Sequence, residues 1–484
     1  MTRNVTPRSP MPVSTAHASA QARPGVPPDA QAELVEHLRA LLRLRTVNPP
    51  GDEILAARYL AGVMEGAGLA LEVLEPFPGR GSVVARLRGD GTGGGPLLLL
   101  SHIDVVPADE ERWAHDPFGG EVADGYVWGR GAVDMKSMVA MELEVMLLLA
   151  RRAQEEGRDP STDPIPGLRR DVIFAATAGE EAGGFEGAGW IADHRPELLR
   201  ADGALSESGG ISVDVLGRRF YPIQVAEKGF QTYRITVRGT PGHGSMPRED
   251  NAAVLAARVA DRLSASGRPR ATAAMAQAIE AIAAAVPATT ARRARALLSE
   301  DERAVARALD GLCEDSYRRA FRALLHDTVS PNQIHAGTKY NVIPGSAWLE
   351  VDCRLLPGTT VDEMTARLRE RIGADLLAFC ELEPTVHGDP VEQPTDTPLY
   401  RLLGEVLRDH DPDGIPIPIM APFATDAKHL ARIGVPTYGF APLRPGPDDH
   451  YLDLYHADDE RVSLDALRWG LSTLFDAVWR YCAE

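Results

Sequence analysis

Ser101-His102-Ile103-Asp104-Val105-Val106-Pro107 directly follows the apolar run Pro96–Leu100, which places a histidine and a carboxylate at a strand's C-terminal end. Ligands and catalytic groups gather at that edge in open α/β sheets. Similar settings hold Asp134 after Gly129-Arg130-Gly131, the adjacent Glu180-Glu181 after Val172–Thr177, Glu207 after Ala204-Leu205-Ser206, and His456 before the last helical stretch. Imidazoles and carboxylates are hard-to-borderline ligands, and this set suffices for two hydrolytic zinc ions.

Each stretch also has a plainer reading. His102 and Asp104 lie on one side of an extended segment, because strand side chains repeat every two residues. Asp104 can hold the ring nitrogen of His102 that faces away from a metal, or the two can be a polar pair capping a neighbouring helix. Asp134 precedes a long apolar helix and suits a helix cap as well as a carboxylate bridging two cations. In Glu180-Glu181 the side chains point in different directions, so one can ligate zinc while the other handles the proton of an attacking water; adjacent acids in a loop are otherwise simply solvated.

The elements that must carry these residues follow from periodicity. Helical patterns alternate with short apolar strands from Ala30 to about Leu205, as in Leu34–Leu44, Val83–Leu87, Leu97–Leu100, Met138–Leu149 and Val172–Ala176. That alternation predicts an α/β fold with a mostly parallel sheet flanked by helices. From Gln231 onward Tyr233, Ile235 and Val237 alternate with Thr232, Arg234, Thr236 and Arg238, which predicts a sheet with one solvated face and a second domain. The expected organisation is an N-terminal arm over 1–28, a catalytic domain over 29–225, an α+β lid over 226–390 with a helical insertion at about 271–325, and the remainder of the catalytic domain over 391–484. The lid is thus inserted into the domain it covers.

With 484 residues and 44% hydrophobic content the chain can bury a large core. A net charge of -18 without a basic cluster excludes nucleic acid and anionic membrane surfaces as partners. The arm, rich in Pro, Ser, Ala and Thr without an apolar core, reads as disordered rather than as a signal peptide. No run approaches transmembrane length. Cys313, Cys353, Cys380 and Cys482 are dispersed, so neither disulfides nor a thiolate metal site is indicated, and a cytoplasmic location fits.

Taken together, His102-x-Asp104, Gly-Arg-Gly-x-x-Asp134-Met-Lys, Glu180-Glu181, Glu207, Gly-x-x-Gly-His243, Asn341-Val-Ile-Pro and His456 resemble the di-zinc metallopeptidase family. Its members include aminoacylase, acetylornithine deacetylase, succinyl-diaminopimelate desuccinylase, glutamate carboxypeptidase and carnosine dipeptidases. The match runs from about Ala30 to Glu484 in the family's order. It implies a zinc-exopeptidase-like sheet with an inserted lid or dimerisation domain. It also implies two Zn2+ per chain, with Co2+ or Mn2+ as substitutes: His102 and Glu207 on one, Glu181 and His456 on the other, Asp134 bridging. Glu180 is then the general base and Asp104 the residue that orients His102. The resemblance makes His243 an oxyanion stabiliser, often acting in a partner subunit's site. It makes Asn341 and Arg354 readers of the substrate's terminal carboxylate. An Arg fork suits a carboxylate, though pairing of Arg354 with Asp352 or Glu350 is its simpler role. The implied reaction is hydrolysis of an amide next to a free carboxylate, in a dipeptide or N-acyl amino acid, by a homodimer joined through the lid. Carbamoyl and ester bonds yield to the same attack, while a non-catalytic binder on this fold would tolerate loss of Glu180 or a ligand, and none is lost.

Other motifs carry less. Gly89-Asp90-Gly91-Thr92-Gly93-Gly94 fits G-x-G-x-x-G but precedes a strand, and a phosphate site needs a helix N-terminus there. Asp448-Asp449-His450 reads as loop and His429 as helix surface.

Overall fold

The computed structural model describes residues 24–264, 267–312, 315–446 and 449–483. The expected disordered arm therefore lies outside the described residues up to position 23, and an ordered helix, Pro28–Arg43, begins at its last residue. That helix starts with Pro in its first turn and Asp29 beside it, ends on Arg43, and buries Leu34, Leu38, Leu41 and Leu42 along one stripe.

A ten-stranded sheet forms the centre. Its middle strands Val172–Thr177, Leu97–His102, Gly203–Ser206 and Thr437–Gly439 run parallel, and antiparallel strands flank them. Both faces are covered, which is why these strands read as unbroken apolar runs. Leu97 and Leu99 join the core packed by helices Pro28–Arg43, Lys136–Glu155 and Leu464–Ala483. Leu98 and Leu100 point the other way, into a smaller core with Ile191 and Leu430.

Arg218–Glu227 still belongs to this sheet, whereas Gly229–Arg238 pairs with Ser346–Leu355 and Cys380–Gly388 in a separate four-stranded antiparallel sheet. Tyr233, Ile235 and Val237 face a core closed by the helices Ala252–Leu263 and Val361–Ile372. The alternating Arg234 and Arg238 face outward and pair with Glu350 and Glu381, the one-sided burial expected from the sequence.

The stretch expected as a helical insertion contains the helices Ala273–Ala285, Ala288–Arg295, Glu302–Asp310 and Asp315–Leu324. Its apolar stripe does not join the core of the lid sheet. Ile282 packs with Phe220 and Ile417 on the edge of the large sheet, and Met275 and Ile279 join the main core. The insertion therefore covers an apolar sheet edge that the lid helices leave bare.

Among the described residues no helix is long and apolar enough to cross a membrane, and Cys353, Cys380 and Cys482 are free thiols.

Candidate metal centre and substrate cleft

Three parallel strands deliver the site from their C-terminal ends. His102 closes the strand Leu97–His102 and stands in register with Thr177 of its neighbour. Beyond Thr177 the chain turns through Gly179, whose left-handed φ of 77° suits glycine and where a Cβ would meet Arg80 Nη2 at 2.6 Å. Glu180 and Glu181 then form a single helical turn. Glu207 follows Ser206 at the end of the third strand.

Asp104 organises this edge more than the sequence suggested. Its carboxylate accepts the backbone N–H of Glu180 (3.1 Å), the backbone N–H of Glu181 (3.1 Å) and the amide of Asn48 (2.8 Å). The ring of His102 meets it through Nδ1, 3.1 Å from the Asp104 carbonyl and 3.5 Å from the carboxylate. Burial opposes charge on Asp104, yet His102 and Asn48 hold its carboxyl below the usual range.

Asp134 does not cap the helix that follows it: Met135 takes the cap position and no side chain bonds there. The loop carrying Asp134 is instead fastened by Glu460, whose fully buried carboxylate accepts the N–H groups of Gly131 (2.9 Å), Val133 (2.7 Å) and Asp134 (2.9 Å) and pairs with Arg130 at 2.8 Å. Glu460 also ties this loop to the segment of His456. Glu460→Ala would strand Arg130 and three amides, and is expected to lower unfolding free energy by about 3–5 kcal/mol. Urea denaturation checks this, and a change below about 1 kcal/mol would make the network dispensable.

The metal-type ligands converge around Asp134. One of its oxygens lies 3.1 Å from His102 Nε2 and the other 3.2 Å from His456 Nε2. Glu207 stands 3.9 Å from the first histidine, and Glu181 stands 3.2 Å from the second. His456 holds φ 59°, a left-handed conformation uncommon outside glycine. His102, Asp134 and Glu181 offer ligand atoms within 4.8 Å of one another, as do His102, Glu180 and Glu207.

The electrostatics of the cluster call for cations. Burial and the nearby Glu207 push the Glu180 carboxyl well up, and burial pushes Glu207 to about 8. Asp134 is held far down against its burial by His102 and His456. His456 is raised to about 10 by its hydrogen bonds to Asp134 and Glu181. His102, despite burial, is held well up by Asp104 and Asp134. Five carboxylates, those of Asp104, Asp134, Glu180, Glu181 and Glu207, thus crowd two imidazoles, a charge excess that dications neutralise.

A cleft of about 680 Å³ opens over this cluster. Glu180, Glu181 and His456 form its floor, while Phe230 and Arg354 border it from the lid strands. The guanidinium of Arg354 donates to Asp352 at 3.0 Å, the pairing foreseen as its simpler role, yet both residues line the cleft. The chemistry of the sequence did not single out Lys428, a buried lysine that also lines the cleft and donates to the Thr425 carbonyl at 2.8 Å. Asn48 was likewise passed over, although the turn signal of Asn48-Pro49-Pro50 marks its position.

His243 and Asn341 are not brought to the cluster. They sit together in a separate two-stranded sheet, where Gly242–His243 pairs with Val342–Ile343 and the Gly244 N–H donates to the Asn341 carbonyl at 2.8 Å. His243 is exposed, its Nδ1 2.8 Å from Ser245 Oγ, and neither residue lines the cleft.

His429, expected on a helix surface, is buried: its Nε2 donates to the Gly183 carbonyl at 2.9 Å and its ring meets Phe185 edge-on, so it supports the turn beyond Glu181. The 89–94 stretch is a loop between strands, as expected. Asp449 accepts from the Tyr126 hydroxyl at 2.7 Å in a loop; Asp448 lies outside the described residues.

A family model described as Peptidase family M20/M25/M40 matches residues 98–480. Aminoacylase-1 of Sus scrofa is 26% identical over 430 residues, covering 88% of this chain and 89% of its own length. Among solved structures, an M20 family metallo-carboxypeptidase from Sulfolobus solfataricus shares the fold with a TM-score of 0.68 at 17% identity, covering 93% of this chain and 99% of that one. A Bacillus subtilis protein described as a dinuclear metal-binding peptidase of the M20 family shares it at a TM-score of 0.60 and 14% identity, covering 93% and 98%.

Proposed function

The chain belongs to peptidase family M20/M25/M40 and is a metallohydrolase, and from that premise we propose a two-zinc enzyme that cleaves an amide bond beside a free carboxylate. Dipeptides and N-acyl amino acids are the substrate class, in keeping with its likeness to aminoacylase-1. The observation that carries the reading is the carboxylate of Asp134, with one oxygen against each of two histidines and a further glutamate beside each histidine. The donor set fits two zinc ions, and Glu181 Oε1 is buried with no hydrogen-bond partner. His102 and Glu207 would hold one ion, Glu181 and His456 the other, with Asp134 shared.

Bound there, a pair of zinc ions lowers the pKa of water and polarises the scissile carbonyl. Glu180, whose carboxylate lies within 4.8 Å of ligand atoms of His102 and Glu207, accepts the proton of the attacking water and returns it to the leaving nitrogen. Its burial suits that shuttle, since burial raises the carboxyl and so strengthens it as a base toward the attacking water. Asp104 fixes the Glu180-Glu181 turn by accepting both backbone amides.

Arg354 and Lys428 put two cations around the cleft, and Arg354 reads the substrate's free carboxylate by exchanging it for Asp352. Charge-assisted hydrogen bonds contribute about 1.5–3 kcal/mol, so amidating that carboxylate is expected to lower kcat/KM by at least about tenfold. Arg354→Ala should then erase most of the difference between free and amidated substrates. Equal turnover of the two by the wild type would make Arg354 structural.

His243, exposed, and Asn341, half-buried, lie away from their own cleft and act on the site of a second copy in a homodimer. His243 donates to the developing oxyanion. His243→Ala should depress kcat more than KM. Mixing inactive His243→Ala with inactive Glu180→Ala chains should restore part of the activity through one intact composite site. No recovery after demonstrated subunit exchange would place a complete site within one chain.

A further inference from the structure

Away from the cleft, Glu33 and His37 sit one turn apart on the helix Pro28–Arg43, and Glu144 meets them from the helix Lys136–Glu155. One potential ligand atom from each lies within 4.8 Å of the others. None of the three takes part in the proposed reaction. One atom of each is held from outside: His37 Nδ1 is 2.8 Å from the Tyr59 hydroxyl, and Arg151 bonds Glu33 Oε2 and donates to Glu144 Oε1 at 3.3 Å.

What remains points inward. His37 Nε2 stands 3.9 Å from Glu144 Oε2, too far for a hydrogen bond. That oxygen has no hydrogen-bond partner, and the Glu144 side chain is 0% exposed. In the tautomer whose Nδ1–H donates to Tyr59, His37 Nε2 and Glu144 Oε2 are two acceptors facing each other across this gap, a contact that a cation between them makes favourable. Metal bonds of about 2.0–2.1 Å to nitrogen and about 2.0–2.2 Å to oxygen match a gap of this size with slight closure. We propose that Glu33, His37 and Glu144 form a further divalent-cation site that pins the N-terminal helix to the helix following Asp134.

The outer contacts then take on a purpose. Tyr59 orients the imidazole and Arg151 orients both carboxylates, as partners behind metal ligands do. An imidazole with two carboxylates suits zinc and its neighbours among divalent transition ions. Glu33 is 43% and His37 15% exposed at the side chain, which gives an ion a way in and room for a water ligand.

Equilibrium dialysis of the full chain against micromolar free Zn2+, followed by elemental analysis, reads the site directly. His37→Ala, Glu33→Gln and Glu144→Gln are each expected to hold about one zinc fewer per chain than the wild type, with an unchanged hydrolytic rate. The zinc-dependent rise in Tm should shrink in all three. Glu33 and His37 reach the surface, so their variants keep the test open if Glu144→Gln fails to fold. Equal zinc content in wild type and variants overturns the proposal and leaves His37 and Glu144 sharing a proton. Loss of zinc together with loss of hydrolysis also overturns it, because the missing ion would then belong to the cleft.

Discussion

Glu180→Gln is expected to lower kcat by about 10²–10⁴-fold while leaving the zinc content unchanged. The substitution keeps shape and volume but removes the only function assigned to this side chain, moving a proton between water and the leaving nitrogen. Glu181→Gln should behave in the opposite way at first sight of the metal, since its carboxylate stands 3.2 Å from His456 among the ligands. Asp104 binds both backbone amides, so both side chains start from one fixed turn and the contrast between them tests their placement rather than their charge. Elemental analysis alongside steady-state kinetics separates the outcomes. If Glu180→Gln lost zinc and Glu181→Gln kept it, the two roles would be exchanged.

Much of the site was legible because strand ends are legible. His102, Glu181 and Glu207 follow apolar runs that are buried on both faces, and such runs end where the parallel sheet opens. Asp134 after a Gly-rich turn and His456 before the last helix stand in weaker local settings than a strand end, and the resemblance over the whole string of motifs added to them. The partners that hold these residues were hidden, because they come from distant parts of the chain. Glu460 reaches back over more than three hundred residues to the Asp134 loop, and nothing in its neighbourhood marks a carboxylate that accepts three amides. Asn48 reaches Asp104 in the same way.

Errors arose where local pattern and tertiary packing part company. His429 sits in a short helix, Ala427–Arg432, with Lys428 before it and Arg432 three residues after, and reads as surface; the glycine-rich turn at Gly183-Gly184 comes close enough to bury it. The helical insertion expected at about 271–325 is helical, and its stripe reaches the large sheet's edge through Ile282, which no periodicity announces. Periodicity reports that a helix has a buried face, and it does not report against what.

Asp134→Ala is expected to have the other large effect, abolishing hydrolysis and metal loading together. Asp134 faces both histidines, so its loss removes a ligand from each ion at once and leaves each with an incomplete set. Variants of Glu207 or Glu181 remove a ligand from one ion only and should be less severe in zinc content. The reading of this chain as a two-zinc hydrolase therefore meets its most direct test in metal removal and return. Hydrolysis of dipeptides or N-acyl amino acids by chelator-stripped wild type should fall to background and recover on adding Zn2+, whereas Asp134→Ala should stay at background under the same additions. Full activity in thoroughly metal-free wild type would contradict the account.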